Sequence, residues 1–193
     1  LEEECKRLFE CFFTFNTLRR PYILLKWCQT ANGYLDDGYK PLRMSTPYTQ
    51  MLVHKLRSEY DAILVGRVTA ERDKPQLNVR LWHGKDPVRL VIDKEHPCFD
   101  GLDFSNSNDV PAQIAEWLYK QGMQSLMVEG GAKTLQGFID AGLWDEIRVE
   151  TVPVVVSGGT KAPHLDDELL AFADRKVYDR NIVDTFRRGD SRE

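Results

Sequence analysis

Two glycines set between an apolar run and a helical pattern are the first residues from which chemistry could be built. Ser125 to Val128 is short and apolar, as a buried strand is, and Leu135, Phe138 and Ile139 recur at helical spacing between Ala132 and Ala141. Glu129, Gly130 and Gly131 occupy the turn between them. Glycines there let the backbone approach a ligand closely. The helix start beyond them offers unpaired N–H groups and the positive end of a dipole, which suits phosphate. Glu129 falls at the carboxyl edge of the strand, where open α/β sheets hold ligands. A tight turn that merely needs small residues would look the same, so the motif alone leaves both readings open.

Further polar residues fall at comparable places. Lys26 interrupts the apolar run Tyr22 to Gln29. A lysine there lies at a sheet edge, snorkels to water, or faces a ligand. Thr69 and Asp73 follow the strand Ala62 to Val65 and Gly66, Arg57 lies near the end of a helix, and Arg80 closes the loop from Pro75, which Leu77 anchors. The planar forks of Arg57 and Arg80 suit a phosphorylated small substrate, against the ordinary alternative of surface ion pairs.

These residues need elements to position them, and the chain supplies an alternation. Leu1, Cys5, Leu8, Phe9, Phe12 and Phe13 recur as one face of an amphipathic helix, and Tyr22 to Gln29 reads as a strand before the turn Asn32-Gly33. Thr46-Pro47 caps and opens a helix whose stripe is Met51, Leu52 and Leu56. The strand Ala62 to Val65, a short helical segment to Asp73 and the strand Val88 to Asp93 follow. Asp109 or Pro111 opens a helix through Gln121, with Ile114, Ala115 and Leu118 on one face. Glu146 to Val156 is a long β-branched strand, and Arg175 to Asp179 with Ile182 to Phe186 form a closing antiparallel hairpin. The expected fold is α/β, a mixed sheet flanked by helices. The Glu146 to Val156 run, taken as a strand near a sheet edge that needs cover, points to a homodimer.

Composition narrows the function classes. The 193 residues, 42% hydrophobic and 29% charged with net charge −4, suit one globular domain and give no polyanion footprint, so no nucleic acid is expected. Without an apolar run of roughly 20 residues or a secretory pattern, no membrane is expected and the cytoplasm is the default location. Cys5, Cys11, Cys28 and Cys98 are scattered, and His96-Pro97-Cys98 is the nearest approach to a metal pair, so no metal is expected.

Five ordered stretches together carry a family resemblance. Arg20-Pro21-Tyr22-Ile23-Leu24-Leu25-Lys26, Asp61 to Gly66 with Thr69, Asp73 to Arg80, Val128-Glu129-Gly130-Gly131-Ala132 and Ala141 to Glu146 resemble the reductase domain of bifunctional riboflavin biosynthesis proteins of the RibD type. The resemblance implies a dihydrofolate-reductase-like fold, NADPH, and reduction of 5-amino-6-(5-phosphoribosylamino)uracil to its ribitylamino product. It implies cofactor contacts at Thr69, Asp73, Cys28 through its backbone, and the turn Gly131, Ala132, Lys133, Thr134, Leu135, Gln136 and Gly137. It implies substrate contacts at Arg57, Leu77, Arg80 and Glu129. The implied reduction wants a general acid, for which Lys26 and Asp73 are the candidates, because a cation in an apolar strand or a carboxylate near a cofactor can have its proton affinity tuned, with water as the alternative. Family members carry a zinc deaminase domain before this one, with His-x-Glu and Pro-Cys-x-x-Cys motifs that this sequence lacks. With Leu1 first, residues 1–19 are then expected to be a connecting helix from that domain and residues 20–193 the reductase domain. A reductase of the same fold acting on a pteridine or folate would share the sheet without needing both arginines, and a non-catalytic nucleotide-binding module would share only the turn.

Departures from the family pattern are visible. Arg43-Met44-Ser45-Thr46 stands where many members have Trp-Ile-Thr-Ser, which removes a tryptophan that contacts cofactor in those members. Asn32-Gly33 replaces the usual Asp-Gly, Lys94 stands where a serine is frequent, Phe99 to Val110 is short, and Asp37-Gly38 is abrupt.

Overall fold

A strand as apolar as Tyr22–Thr30 has to be covered on both faces, and the structure places it inside a seven-stranded sheet. This structure, a computed structural model, describes residues 9–93, 99, 102, 104, 109–166, 168 and 170–189. A short helix, α1 (Glu10–Phe13), runs into a π-helical turn (Thr14–Leu18), and β1 (Tyr22–Thr30) follows. Next come α2 (Pro47–Arg57), β2 (Ala62–Gly66), α3 (Arg67–Asp73), β3 (Val88–Ile92) and α4 (Val110–Lys120). The chain continues through β4 (Ser125–Gly130), α5 (Ala132–Asp140), β5 (Glu146–Val152), β6 (Leu170–Tyr178) and β7 (Asn181–Arg188). The sheet order is β3-β2-β4-β1-β5-β7-β6; the first five strands are parallel, and β7 and β6 close it antiparallel.

Alternation along the strands divides the core. Ile23, Leu25 and Trp27 of β1, with Ala62, Leu64, Leu126 and Val128 of its neighbours, pack against Ile114 and Leu118 of α4 and Leu135 and Phe138 of α5. On the other face Leu24 and Met127 meet Leu56 of α2, and Ile63 and Val65 meet Leu77. Side chains of this size stabilise the fold by roughly 1.5–3 kcal/mol each when fully buried. α2 starts where the sequence says it should: the Thr46 hydroxyl accepts from the Thr49 N–H at 3.2 Å, the Thr49 hydroxyl accepts from the Thr46 N–H at 2.9 Å, and Pro47 needs no partner at the first position.

The structure corrects three expectations. The long strand stops at Val152, because Pro153 brings no N–H to the ladder and the next residues turn, with the Val154 N–H donating to the Val152 carbonyl. That strand is not near an edge, since β5 sits between β1 and β7; the edges are β3 and β6. The closing hairpin is longer than expected at both ends, reaching Leu170 and Arg188. Of the amphipathic N-terminal helix, Leu1 to Leu8 lie outside the described residues. The rest reaches the domain through Phe15 against the Tyr119 ring and the ion pair of Glu10 with Arg187.

Candidate functional site

Parallel strands deliver their carboxyl ends to one rim of the sheet, and β2 and β4 lie side by side there. The two ends approach too closely for side chains. A Cβ on Gly66 would lie 2.5 Å from Thr134 Oγ1, and one on Gly130 would lie 3.1 Å from Thr69 Cγ2. Gly131 has φ +75°, and a Cβ there would sit 3.3 Å from Thr69 Oγ1 and 3.4 Å from Thr134 Oγ1. The turn is thus flanked by two hydroxyls, one from α3 and one from α5. Gly131 caps α5 with no side-chain hydrogen bond, and the first intrahelical bond there is the Leu135 N–H to the Gly131 carbonyl at 3.0 Å. The amides of Ala132, Lys133 and Thr134 therefore have no acceptor one turn back, and the start of the helix remains an anion cradle.

The rest of that span does other work. Leu135 is fully buried in the core. Gln136 donates to Asp140 at 2.7 Å and accepts from the His164 N–H at 2.8 Å, and Gly137 rests against Pro111 of α4. The structure brings Thr69, Gly131, Ala132, Lys133 and Thr134 together and leaves the Leu135 and Gln136 side chains and Gly137 turned to their own packing.

One residue before the glycines, Glu129 points to the α2 face. Arg57 donates to it twice, Nε to Oε1 at 3.0 Å and Nη2 to Oε2 at 2.6 Å, with the two side chains only 11% and 9% exposed. Its Nη1 donates to the Asn78 carbonyl at 3.1 Å. That carbonyl belongs to the loop holding Leu77, buried with φ 51°, and Arg80, whose exposed guanidinium donates to Asn78 Oδ1 at 2.8 Å. All four expected substrate residues therefore converge, but Arg57 and Glu129 already satisfy each other.

Among the described residues no hydrogen bond or ion pair joins Lys26 to Asp73, but Lys26 stands one step beyond the Leu25–Val128 pair of β1 and β4, as Glu129 does, on the α2 face of the sheet. Lys26 lines a groove of about 380 Å³ on the opposite flank of α2, with Glu146, Arg148, Glu150, Lys176 and Arg187. β1 is central, so of the three readings of Lys26 a sheet edge is ruled out. Asp73 is about one-third exposed and pairs with Arg72 at 3.2 Å. Cys28 lies beside Ser45 and Glu150, and burial, with Glu150 adding to it, pushes its thiol up to about 12, which keeps the sulfur protonated. The described residues hold no cluster of metal-binding side chains. His96-Pro97-Cys98 and Lys94 lie outside the described residues.

Two residues escaped the sequence reading. His54 lies three residues before Arg57, on the same helical face, and is buried at 4% exposure. That spacing was the signal available. Asp36, 1% exposed, accepts from the Tyr39 N–H at 3.1 Å, the Thr160 N–H at 2.9 Å, the Thr160 hydroxyl at 2.6 Å and Arg72 at 3.3 Å. It ties the loops after β1 and β5 to α3, and Gly159 packs so closely on it that no side chain would fit. Nothing in its sequence surroundings marks it.

The RibD C-terminal domain model matches residues 21–179. The riboflavin biosynthesis protein RibD of Aquifex aeolicus is 33% identical, over 97% of this chain and 63% of that protein. The match covers 225 positions, more than the 193 residues of this chain, so that relative carries internal segments absent here. A 2,5-diamino-6-ribosylamino-4(3H)-pyrimidinone 5′-phosphate reductase of Methanothermobacter thermautotrophicus is 28% identical over 77% of this chain and 85% of its own length. Among solved structures, a diaminohydroxyphosphoribosylaminopyrimidine deaminase/5-amino-6-(5-phosphoribosylamino)uracil reductase from Thermotoga maritima superposes with a TM-score of 0.84 at 26% identity, covering 98% of this chain and 62% of that one. Acinetobacter baumannii RibD shares the fold at a TM-score of 0.78 and 19% identity, with 97% of this chain and 63% of that one covered. The chain spans under two-thirds of the RibD proteins it matches.

Proposed function

The chain belongs to the RibD C-terminal domain family, and on that footing we propose that it is an NADPH-dependent reductase of riboflavin biosynthesis, converting 5-amino-6-(5-phosphoribosylamino)uracil to 5-amino-6-(5-phosphoribitylamino)uracil. The observation that carries this reading is the end of β4, where Glu129 holds Arg57, itself bonded to the loop that carries Arg80, and, two residues on, Gly131 opens the uncapped start of α5. One strand end thus offers a site for a sugar phosphate and a cradle for a second phosphate group.

NADPH, when bound, supplies the hydride, and the chain supplies placement. The Thr69 and Thr134 hydroxyls and the free amides of Ala132 to Thr134 would hold its phosphates, with Asp73 and the Cys28 backbone as further contacts. Arg80, exposed and among the described residues bound only to its neighbour Asn78, is the freer cation for the ribose phosphate; Arg57 adds charge behind it. Glu129 would accept from donors of the aminouracil, and Leu77 would pack against the ring. Carbon 1′ of the opened ribose, in its imine form, takes the hydride, and its nitrogen takes a proton, for which Lys26 and Asp73 are the proposed donors.

The exposed edge strand β6, with Phe172 at 61% and Val177 at 64%, supports a homodimer, and the longer relatives support a covalently linked deaminase domain. No helix among the described residues is long and apolar enough to cross a membrane, and we place the protein in the cytoplasm. Absorbance decay of NADPH with the aminouracil ribosylamine phosphate, beside NADH and dihydrofolate, tests the activity. Turnover is expected with the first pair, and equal turnover of dihydrofolate would move the reading to a pteridine reductase. Sedimentation across concentrations tests the dimer, which a strictly monomeric species at high micromolar concentration would rule out.

A further inference from the structure

Asn78 stands between the two arginines of the proposed substrate site and touches both. Its main-chain carbonyl accepts from Arg57 Nη1 at 3.1 Å, and its side-chain oxygen accepts from Arg80 Nη1 at 2.8 Å. A guanidinium only donates, so the amide must turn its oxygen, not its nitrogen, to Arg80. The backbone on either side is fixed. Leu77 is held at φ 51°, a conformation that a leucine keeps only where its surroundings demand it, and its side chain packs against Ile63 and Val65. The Val79 N–H donates to Asp86 Oδ1 at 2.8 Å, and the Val79 side chain is buried. Two contacts farther along seat the loop on the end of α2: Lys55 Nζ lies 5.6 Å from the Trp82 ring centre, and Gly84 packs so closely on Ser58 that any side chain would collide. From this anchored backbone one short side chain reaches the exposed guanidinium two residues on.

We propose that Asn78 is a positioning residue that aims Arg80 at the substrate phosphate while leaving its charge uncompensated, an inference that rests on the reading of this site as one for a sugar phosphate. The two arginines differ in what holds them. Arg57 is bound through two nitrogens by the Glu129 carboxylate, so its charge is matched inside the protein. Among the described residues no carboxylate pairs with Arg80. A neutral amide engages one of its nitrogens and leaves the positive charge and the remaining N–H groups to a dianion. An unheld arginine on a loop samples many rotamers, and fixing them when the ligand binds weakens affinity; an amide that already orders the side chain removes part of that cost. Aspartate at the same place would orient Arg80 equally well, but would neutralise it and repel the phosphate. Asparagine gives orientation without neutralisation.

The test is a double-mutant cycle in steady-state kinetics on the phosphorylated aminouracil, with wild type, Asn78→Ala, Arg80→Ala and the two combined. Asn78→Ala keeps the carbonyl that Arg57 uses, and is expected to raise KM about five- to tenfold, with kcat within about twofold and NADPH affinity unchanged. In the Arg80→Ala background the same substitution should add nothing, because the side chain it aims is gone. Asn78→Asp should raise KM further than Asn78→Ala does. An equal penalty with and without Arg80, or an aspartate variant that binds substrate as well as wild type, overturns the proposal. NMR relaxation at Arg80 Nε gives a readout that needs no substrate: its order should fall in Asn78→Ala and persist in Asn78→Asp, and order unchanged in Asn78→Ala also overturns the proposal. A protein in which Arg80 depends on Asn78 in this way yet does not reduce the aminouracil would sink the proposed activity and leave the hold of Asn78 on Arg80 standing.

Discussion

The two flanks of α2 use charge in opposite ways. Toward β4, one bidentate pair stands nearly alone, Arg57 on Glu129, with a single further bond from Arg57 to the loop. Toward β5 and β7, Glu146 is held three times over: by the Tyr22 hydroxyl at 3.2 Å, by Arg187 at 3.2 Å and by Arg148, while Arg187 also reaches Glu10. Burial, with Glu146 beside it, pushes the Tyr22 phenol far up, so it remains a donor. A redundant network fixes a surface, because any one partner can be lost and the rest still compensate the carboxylate. A single pair leaves both members able to trade partners with a ligand.

The sharpest way to break this contrast is to remove one arginine from each flank. Arg57→Ala strands a buried Glu129 and is expected to cost about 3–5 kcal/mol of unfolding free energy. Arg187→Ala leaves Glu146 with two partners and should cost about 1–2 kcal/mol. Denaturant titrations of the two variants give the comparison, and equal losses would erase it. Arg80→Ala comes next, with stability unchanged and roughly 2–4 kcal/mol lost in transition-state binding, some 30- to 1,000-fold in kcat/KM. That loss should shrink strongly for a dephosphorylated substrate, and Arg80→Lys should fall short of rescue. Equal losses on both substrates would show that Arg80 supports the fold instead.

Gly131→Val probes the neighbouring cradle without touching either flank. A branched side chain meets Thr69 and Thr134 and disfavours φ +75°, so NADPH affinity should fall about ten- to a hundredfold in calorimetry. Unchanged affinity in a folded variant would remove this turn from the cofactor site. The smallest effect is acidic. Burial raises the proton affinity of Asp36, but its bonds from Thr160 and Tyr39 and the charge of Arg72 outweigh that and leave it below 3.8. A depressed carboxylate stabilises the fold above its unfolded value, and that contribution is lost as the pH falls through the folded one. Melting curves should show Asp36→Asn weaker than wild type by about 1–2 kcal/mol near pH 6. The gap should narrow below pH 3.8; a gap that persists there would separate the latch from its charge.

Much of this architecture was legible because it depends on local pattern. β1, β2 and β4 are apolar runs that only a doubly covered sheet can bury, and Thr46-Pro47 announces its helix through chemistry that acts within one turn. The residues at the β4 end were also readable, since Glu129 and the glycines adjoin in sequence. What could not be read was commitment across distance. Arg57 and Glu129 are 72 residues apart, and each separately looked like a ligand for substrate. Asp36 finds Thr160 across 124 residues, a partnership that no spacing rule can anticipate. Lys26 stood out correctly as a cation in an apolar strand, but which flank of α2 it would face depended on the tertiary packing of that helix.

The position of β1 also governs how this protein can be made. Its neighbours in the sheet are β4 and β5, so Tyr22 pairs with Ser125 and Leu24 with Glu146, and no earlier strand can satisfy it. On a ribosome adding about 5–20 residues per second, this apolar segment must wait roughly 6–25 seconds for partners more than a hundred residues downstream. During that interval the nascent chain exposes two unpaired strand edges, the condition under which holding chaperones matter most. Synthesis rate is therefore expected to govern the soluble yield of this domain more strongly than its final stability does.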